Sequence, residues 1–149
     1  MKPRTDRIVS KSGSAILELQ LVLLTLLLTV FAVFEIGRLC LVYTTVANAA
    51  RIGVRYAIVH GSTNSGSGIN GPSGPGDTAN VEQVVSDYTA GSTLDPSLLT
   101  INVLYPSGGA QTNAPGSPVR VEVSYPYNPF IALPLSLTIS TRTEGVITF

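Results

Sequence analysis

Histidine and cysteine are all but missing from this chain: His60 and Cys40 are the only ones among its 149 residues. A single cysteine excludes an intrachain disulfide, and one cysteine with one histidine excludes a Cys/His zinc cluster. A Ser-His-acid triad would have to use His60. That residue stands where a helical pattern runs out into a glycine-rich stretch, a poor place to hold a catalytic base rigidly. Charge is scarce as well, with nine basic and nine acidic residues and a formal net charge of zero. No basic patch is interleaved with aromatics, which argues against a nucleic-acid partner. Proline is absent between Pro3 and Pro72, so no missing N–H breaks a helix over residues 14–59. This inventory points away from an enzyme and calls for no metal or cofactor.

What is present is concentrated at the N-terminus. Lys2, Arg4, Arg7 and Lys11 face only Asp6 in the first thirteen residues, and this basic head ends in Ser12-Gly13. The segment Ser14-Ala15-Ile16-Leu17-Glu18 follows, and then the uncharged run Leu19 to Phe34. The basic bias beside an apolar run predicts a cytoplasmic N-terminus with the rest of the chain across the membrane. A bilayer core takes about 20 helical residues, a length reached when Ser14–Leu17 and Ile36-Gly37 are counted with the run. Glu18 then sits near one edge of the span and Glu35 near the other. A carboxylate at such a depth costs a few kcal/mol, which marks Glu18 as a functional-site candidate. A cleavable secretory signal is the competing reading. Its A-x-A match, Ala47-Asn48-Ala49, lies thirteen residues beyond Phe34 with Glu35 and Arg38 between, too far for a signal peptide. A retained single-pass helix is favoured.

Beyond Phe34 the residues Ile36, Leu39, Tyr43, Val46, Ala50, Val54 and Ala57 recur at spacings of three and four, the stripe of an amphipathic helix. Glu35 and Arg38 are placed to pair. Gly37 and Gly53 each weaken a helix by roughly 1 kcal/mol against alanine but allow close packing. One helix over residues 14–59 would be about 69 Å long, more than twice a hydrocarbon core. Cys40 reads as a small buried hydrophobe. Gly61 to Gly76, with six glycines, four serines and two prolines, reads as a flexible loop.

Val81, Val84, Val85 and Tyr88 predict a short second helix, with Asp77, Thr78 or Asn80 as its cap and Gly91 as its stop. Three alternating segments follow, at Leu99–Tyr105, Val119–Tyr125 and Leu137–Glu144. If the last two pair antiparallel, charge matching sets Arg120 opposite Glu144, Glu122 opposite Arg142 and Ser124 opposite Ser140. The segment Pro126 to Leu135 is too apolar for an idle loop and is expected to pack on the upper helix, with a partner surface as the alternative. The fold class is therefore α+β. Residues 14–60 form a long helix whose lower half is transmembrane, residues 61–76 a loop, and residues 77–149 an extracytoplasmic head with a small antiparallel sheet of three strands.

The head of the chain resembles a type IV prepilin, and more narrowly the TadE-like pseudopilins of the tight-adherence (Tad/Flp) pilus apparatus. Gly13, Ser14-Ala15-Ile16-Leu17-Glu18 and the apolar run carry the likeness. So do Glu35-Ile36-Gly37-Arg38, Asn48-Ala49-Ala50-Arg51 and Arg55-Tyr56-Ala57. It covers roughly residues 12–60. Leu19 stands where pilins of this apparatus usually carry Phe or Tyr, and the chain is longer than its major pilins. Both imply a minor pseudopilin. The resemblance implies that residues 1–13 are a leader removed after Gly13 by a prepilin peptidase, making Ser14 the new N-terminus. Glu18 would then neutralise the new α-amino group, of its own or a neighbouring subunit. The implied partners are the peptidase, other pilins or pseudopilins, the assembly platform of a bacterial inner membrane, and lipid. A signal-anchored extracytoplasmic binding or sensor module is the alternative.

Overall fold

The computed structural model describes residues 11–106, 112–130 and 137–149. Helix α1 runs over Lys11–Val59 and α2 over Ala79–Ala90, and single 3-10 turns form at Gly68–Asn70 and Pro96–Leu98. Strands β1 (Thr100–Leu104), β2 (Pro118–Tyr127) and β3 (Leu137–Val146) make one antiparallel sheet in the order β1-β2-β3. This is the α+β architecture expected from the sequence. The chain divides into two compact units, Met1–Arg38 and Leu39–Phe149.

In the first unit, every described side chain from Gly13 to Phe34 is exposed. A helix that is apolar all round needs an apolar surrounding on every side. It is the one helix among the described residues long and apolar enough to cross a membrane, and none of its most apolar window is buried within the protein. Its few polar groups are satisfied locally. Thr25 Oγ1 donates to the Leu21 carbonyl at 2.9 Å and Thr29 Oγ1 to the Thr25 carbonyl at 2.8 Å.

In the second unit, the upper part of α1 and the helix α2 pack on one face of the sheet. Val42, Val46, Ala49, Ala50, Val54 and Ala57 of α1 join Val81 and Val85 of α2 and the inward row Val119, Val121, Val123, Tyr127, Ile139 and Ile147. The two helices and the sheet meet at Gly53. A Cβ there would lie 2.8 Å from Val85 Cγ2 and 3.1 Å from Val121 Cγ1. The sheet has a matching gap at Gly145, where a Cβ would meet Val54 Cγ1 at 2.8 Å and Ile58 Cδ1 at 2.5 Å. Gly37 has open space around it, so the close-packing role expected for both helix glycines belongs to Gly53 alone.

The α1 stripe needs one correction. Val46, Ala50, Val54 and Ala57 are buried and Leu39 is half-buried, but Ile36 and Tyr43 are exposed. Val42 and Ala49 complete the buried face. Periodicity assigns a side chain to a face, whereas burial requires something to cover that face. Ile36 precedes the packed head, and Tyr43 looks onto the uncovered flank of β3. Cys40 is likewise exposed, contrary to the expected buried thiol, because it lies on that same flank.

The charge-matched register is the one observed: Arg120 pairs with Glu144, Glu122 with Arg142, Val123 with Thr141 and Ser124 with Ser140. Side-chain contacts differ in one place. Arg120 Nε meets Glu144 Oε1 at 2.7 Å, but Arg142 Nε also leans to Glu144, at 3.6 Å. Glu122 Oε1 instead accepts from Ser140 Oγ at 3.1 Å. On this solvated face a neighbour two residues along the same strand, or a diagonal one across it, lies within reach as well as the direct partner. Helix α2 begins at the Thr78 cap, whose hydroxyl donates to Glu82 Oε1 at 2.6 Å, and stops at Gly91.

The stretch 61–76 is a pinned turn system, not a free linker. Ser73 N donates to the His60 carbonyl at 2.6 Å, and Asn113 Nδ2 to the Ser73 carbonyl at 3.0 Å. The Tyr56 hydroxyl donates to the Ile69 carbonyl. Glycine and serine content measures how freely a chain moves alone, not how many backbone partners the fold supplies. Of the apolar segment 126–135, Pro126 and Tyr127 belong to β2 and Phe130 is 75% exposed. Residues 131–136 lie outside the described residues, so the expected packing of that segment on α1 is addressed at those positions only.

Burial raises the Tyr105 hydroxyl above its usual pKa of 10.0, against an opposing hydrogen bond with Ser73 Oγ at 3.2 Å. Tyr56 is raised as well, again chiefly by burial. The unfolded chain therefore ionises first, and the stability these tyrosines lend is complete below pH 10 and lost as pH rises through their folded values. Thermal unfolding followed from about pH 8 to 11 should show a steepening loss above 10. In Tyr105→Phe that loss should be shallower, and an unchanged slope would count against this cause.

Candidate functional site

The N-terminal candidates fall on the first turns of α1. Gly13, Ser14 and Glu18 are all helical and all exposed. Nothing lies within 4 Å of a Cβ built on Gly13. Ser14 and Glu18 are four residues apart and so share one helix face, one turn apart. Among the described residues Glu35 pairs with Arg38, and Arg120 and Arg142 both reach Glu144; Glu18 takes part in none of these ion pairs. Its neighbours along the helix are Leu17 and Leu19, 67% and 68% exposed. A carboxylate here is thus held at the rim of an apolar cylinder with no cation of its own helix beside it. Chemically, such a group serves as an acceptor for an incoming ammonium, guanidinium or N–H donor.

The second candidate pair stands at the other end of the apolar run. Arg38 Nη2 lies 3.4 Å from Glu35 Oε1 on one turn, and both side chains are partly covered. Sixteen residues of helix lie between Glu18 and Glu35, so the two acidic positions do not form one site. The Asn48-Ala49-Ala50-Arg51 motif divides between two roles. Ala49 and Ala50 are fully buried against the head, while Asn48 and Arg51 are exposed and bonded to each other, Arg51 Nη1 donating to Asn48 Oδ1 at 3.2 Å. The motif is therefore a packing element with a polar outer face.

His60 stacks on Tyr56, ring centroids 3.9 Å apart and planes 9° from parallel, with Nδ1 2.9 Å from the Tyr56 carbonyl. This is a helix-end support. Among the described residues no three of His, Cys, Asp and Glu gather as metal ligands. Sequence reasoning missed an open groove of about 460 Å³ between Leu39, Cys40, Tyr43 and Thr44 of α1 and residues 137–140 of β3. No local pattern signals it, because its two walls lie about a hundred residues apart in the chain.

Residues 13–55 match the family model of TadE-like proteins. The matched stretch takes in Gly13, Glu18, the Glu35–Arg38 pair and the Asn48–Arg51 motif, and ends short of α2 and the sheet. No curated protein and no solved structure matches the chain.

Proposed function

From the premise that the match supports a TadE-like protein of the Tad pilus system, we propose that the chain is a non-enzymatic minor pseudopilin that helps assemble a Tad/Flp pilus or related secretion filament. It is made as a precursor and cut after Gly13 by a prepilin peptidase. It sits in a bacterial inner membrane by a single pass, N-terminus in the cytoplasm and the α2–sheet head outside it. Its partners are the peptidase, other pilins or pseudopilins, and the assembly platform. The observation that carries this reading is Glu18, unpaired within its own helix and one turn from Ser14. Cleavage would create an α-ammonium on Ser14, on the same helix face. Between unit charges about 4 Å apart the attraction is roughly 1 kcal/mol in water and grows several-fold as the surroundings become apolar. An acid retained at that depth gains its counter-ion only through processing, on its own chain or on a neighbour's.

Intact-mass measurement of the chain from its native host is the test. Loss of residues 1–13 is expected, and Gly13→Trp should abolish it by placing bulk at the scissile position. A chain that retains Met1 overturns the proposal in favour of a signal-anchored binding or sensor module, and one cut after Ala49 overturns it as well, in favour of a cleaved secretory signal.

A further inference from the structure

We infer that a second copy of this chain docks beside the first, the Arg51–Arg55 turn of α1 in one copy receiving Asp87 of α2 in the next. The inference rests on the reading above, for which it names one partner. Charge in the head is segregated along the sequence. No acid stands between Glu35 and Asp77, and no base between Arg55 and Arg120, whereas Asp77, Glu82, Asp87 and Asp95 all fall in that second interval. On the sheet the charges answer one another, Arg120 and Arg142 both reaching Glu144. On α1 they do not. Arg51 and Arg55 are exposed, Arg51 bonds the neutral Asn48, and no ion pair joins either arginine to an acid among the described residues. Glu82 and Asp95 accept hydroxyl hydrogen bonds within the head, from Thr78 and Ser97. Asp87 is exposed and takes part in no such bond among the described residues.

The packing of the head sets these two features on opposite sides and at one level. Helix α1 meets α2 where Gly53 faces Val85, a Cβ on the glycine lying 2.8 Å from Val85 Cγ2. Arg51 and Arg55 each stand two residues from Gly53, and Asp87 stands two residues from Val85. Two residues turn a helix by about 200°. All three charged groups therefore point away from the α1–α2 contact, the arginines out of one side of the helix pair and the carboxylate out of the other. Along their own helices they lie only about 3 Å from the level of that contact. Two copies facing the same way meet arginine to carboxylate with almost no shift along α1. Gln83 and Ala90, one turn to either side of Asp87, are uncharged, so nothing on that row repels the arginines. The contact is heterologous: each copy offers a different face to each neighbour, and the set extends as a row or ring. Exposed charge pairs are individually weak, so the contact acts between copies already concentrated by one membrane or filament.

Cys40, the single cysteine, is exposed and takes a fluorescent donor or acceptor in separate batches of the full-length protein. Energy transfer between the two in phospholipid vesicles reads self-association, and dilution with lipid sets the collisional background. Arg51→Glu with Arg55→Glu should lower the transfer above background roughly fivefold or more, and so should Asp87→Arg, because attractive pairs become repulsive. Mixing these two variants should restore it, since every contact between unlike copies again joins opposite charges. Salt at about 1 M, where the screening length falls to about 3 Å, should weaken the signal of the unmodified sequence as well. Background-level transfer for that sequence at low salt overturns the inference. Transfer that survives both reversals and salt overturns it too, because the copies then meet through another surface. So does transfer lost in both variants and not regained in the mixture. The intact mass from the native host decides the pseudopilin reading separately. Loss of residues 1–13 without charge-dependent transfer leaves that reading standing and removes this contact, whereas Met1 retained with transfer regained in the mixture removes that reading and keeps the contact.

Discussion

Gly53→Leu is expected to lower the thermal midpoint of the head by on the order of 10 °C or more, equivalent to about 3 kcal/mol. The backbone of α1 passes between α2 and β2 at this residue, and a mere Cβ would already crowd Val85 Cγ2 at 2.8 Å and Val121 Cγ1 at 3.1 Å. Both obstacles are methyls of β-branched side chains, which have little rotamer freedom with which to withdraw. Alanine at this position brings two opposed effects. Helix propensity gains about 1 kcal/mol, and overpacking costs about 1–3 kcal/mol, so Gly53→Ala should be net destabilising but mild. Gly37→Ala is the control, since nothing lies within 4 Å of its Cβ, and it should cause no loss. Thermal unfolding of the full chain in detergent, read by near-ultraviolet circular dichroism, measures all three. A Gly53→Leu protein with an unaltered midpoint would mean that α1 does not pass this close to Val85 and Val121.

The other large effect is expected at Glu18. Glu18→Ala should leave cleavage after Gly13 intact yet reduce the share of the chain recovered in assembled filament by on the order of tenfold or more. A factor of ten needs only about 1.4 kcal/mol, and an ammonium–carboxylate contact in an apolar setting exceeds that. Glu18→Gln separates charge from shape. It preserves the length and hydrogen-bonding reach of the side chain but leaves the amine unneutralised, so it should fail nearly as badly as alanine. If Gln assembles normally, the residue acts by shape or hydrogen bonding, and the charge-pairing role is lost. If Ala assembles normally, Glu18 is a solvated carboxylate at a helix start, favourable to the helix dipole and nothing more.

How far the sequence could be read depended on whether the deciding signal was local. The long helix was legible because its apolar residues and the missing prolines act within one segment. The pairing of β2 with β3 was legible because Arg120, Glu122, Arg142 and Glu144 carry complementary charge on a strict period of two. The burial of Tyr43 and Cys40 was misjudged because it depends on how far the β3 flank extends over α1, which no local pattern encodes. The order of residues 61–76 was hidden for a related reason: its partners include His60, Asn80 and Asn113, one of them forty residues away from Ser73. At the candidate site, the Gly13–Glu18 spacing was fully visible, being a matter of one helical turn. The groove was not, because it is made by two elements about a hundred residues apart.

Closing contacts of the head come from Ile147 and Thr148, directly after β3. Thr148 donates from both its amide and its hydroxyl to the Ile58 carbonyl, and Ile147 is buried in the core. Across ninety residues of sequence, α1 thus waits for its final cover. During synthesis the valine face of Val42, Val46 and Val54 emerges well before β2 and β3, which shield it. Native packing of α1 in the head therefore needs β2, β3 and the segment Ile147–Thr148 together, and a chain cut before Ile147 would leave the Ile58 carbonyl and part of that valine face uncovered.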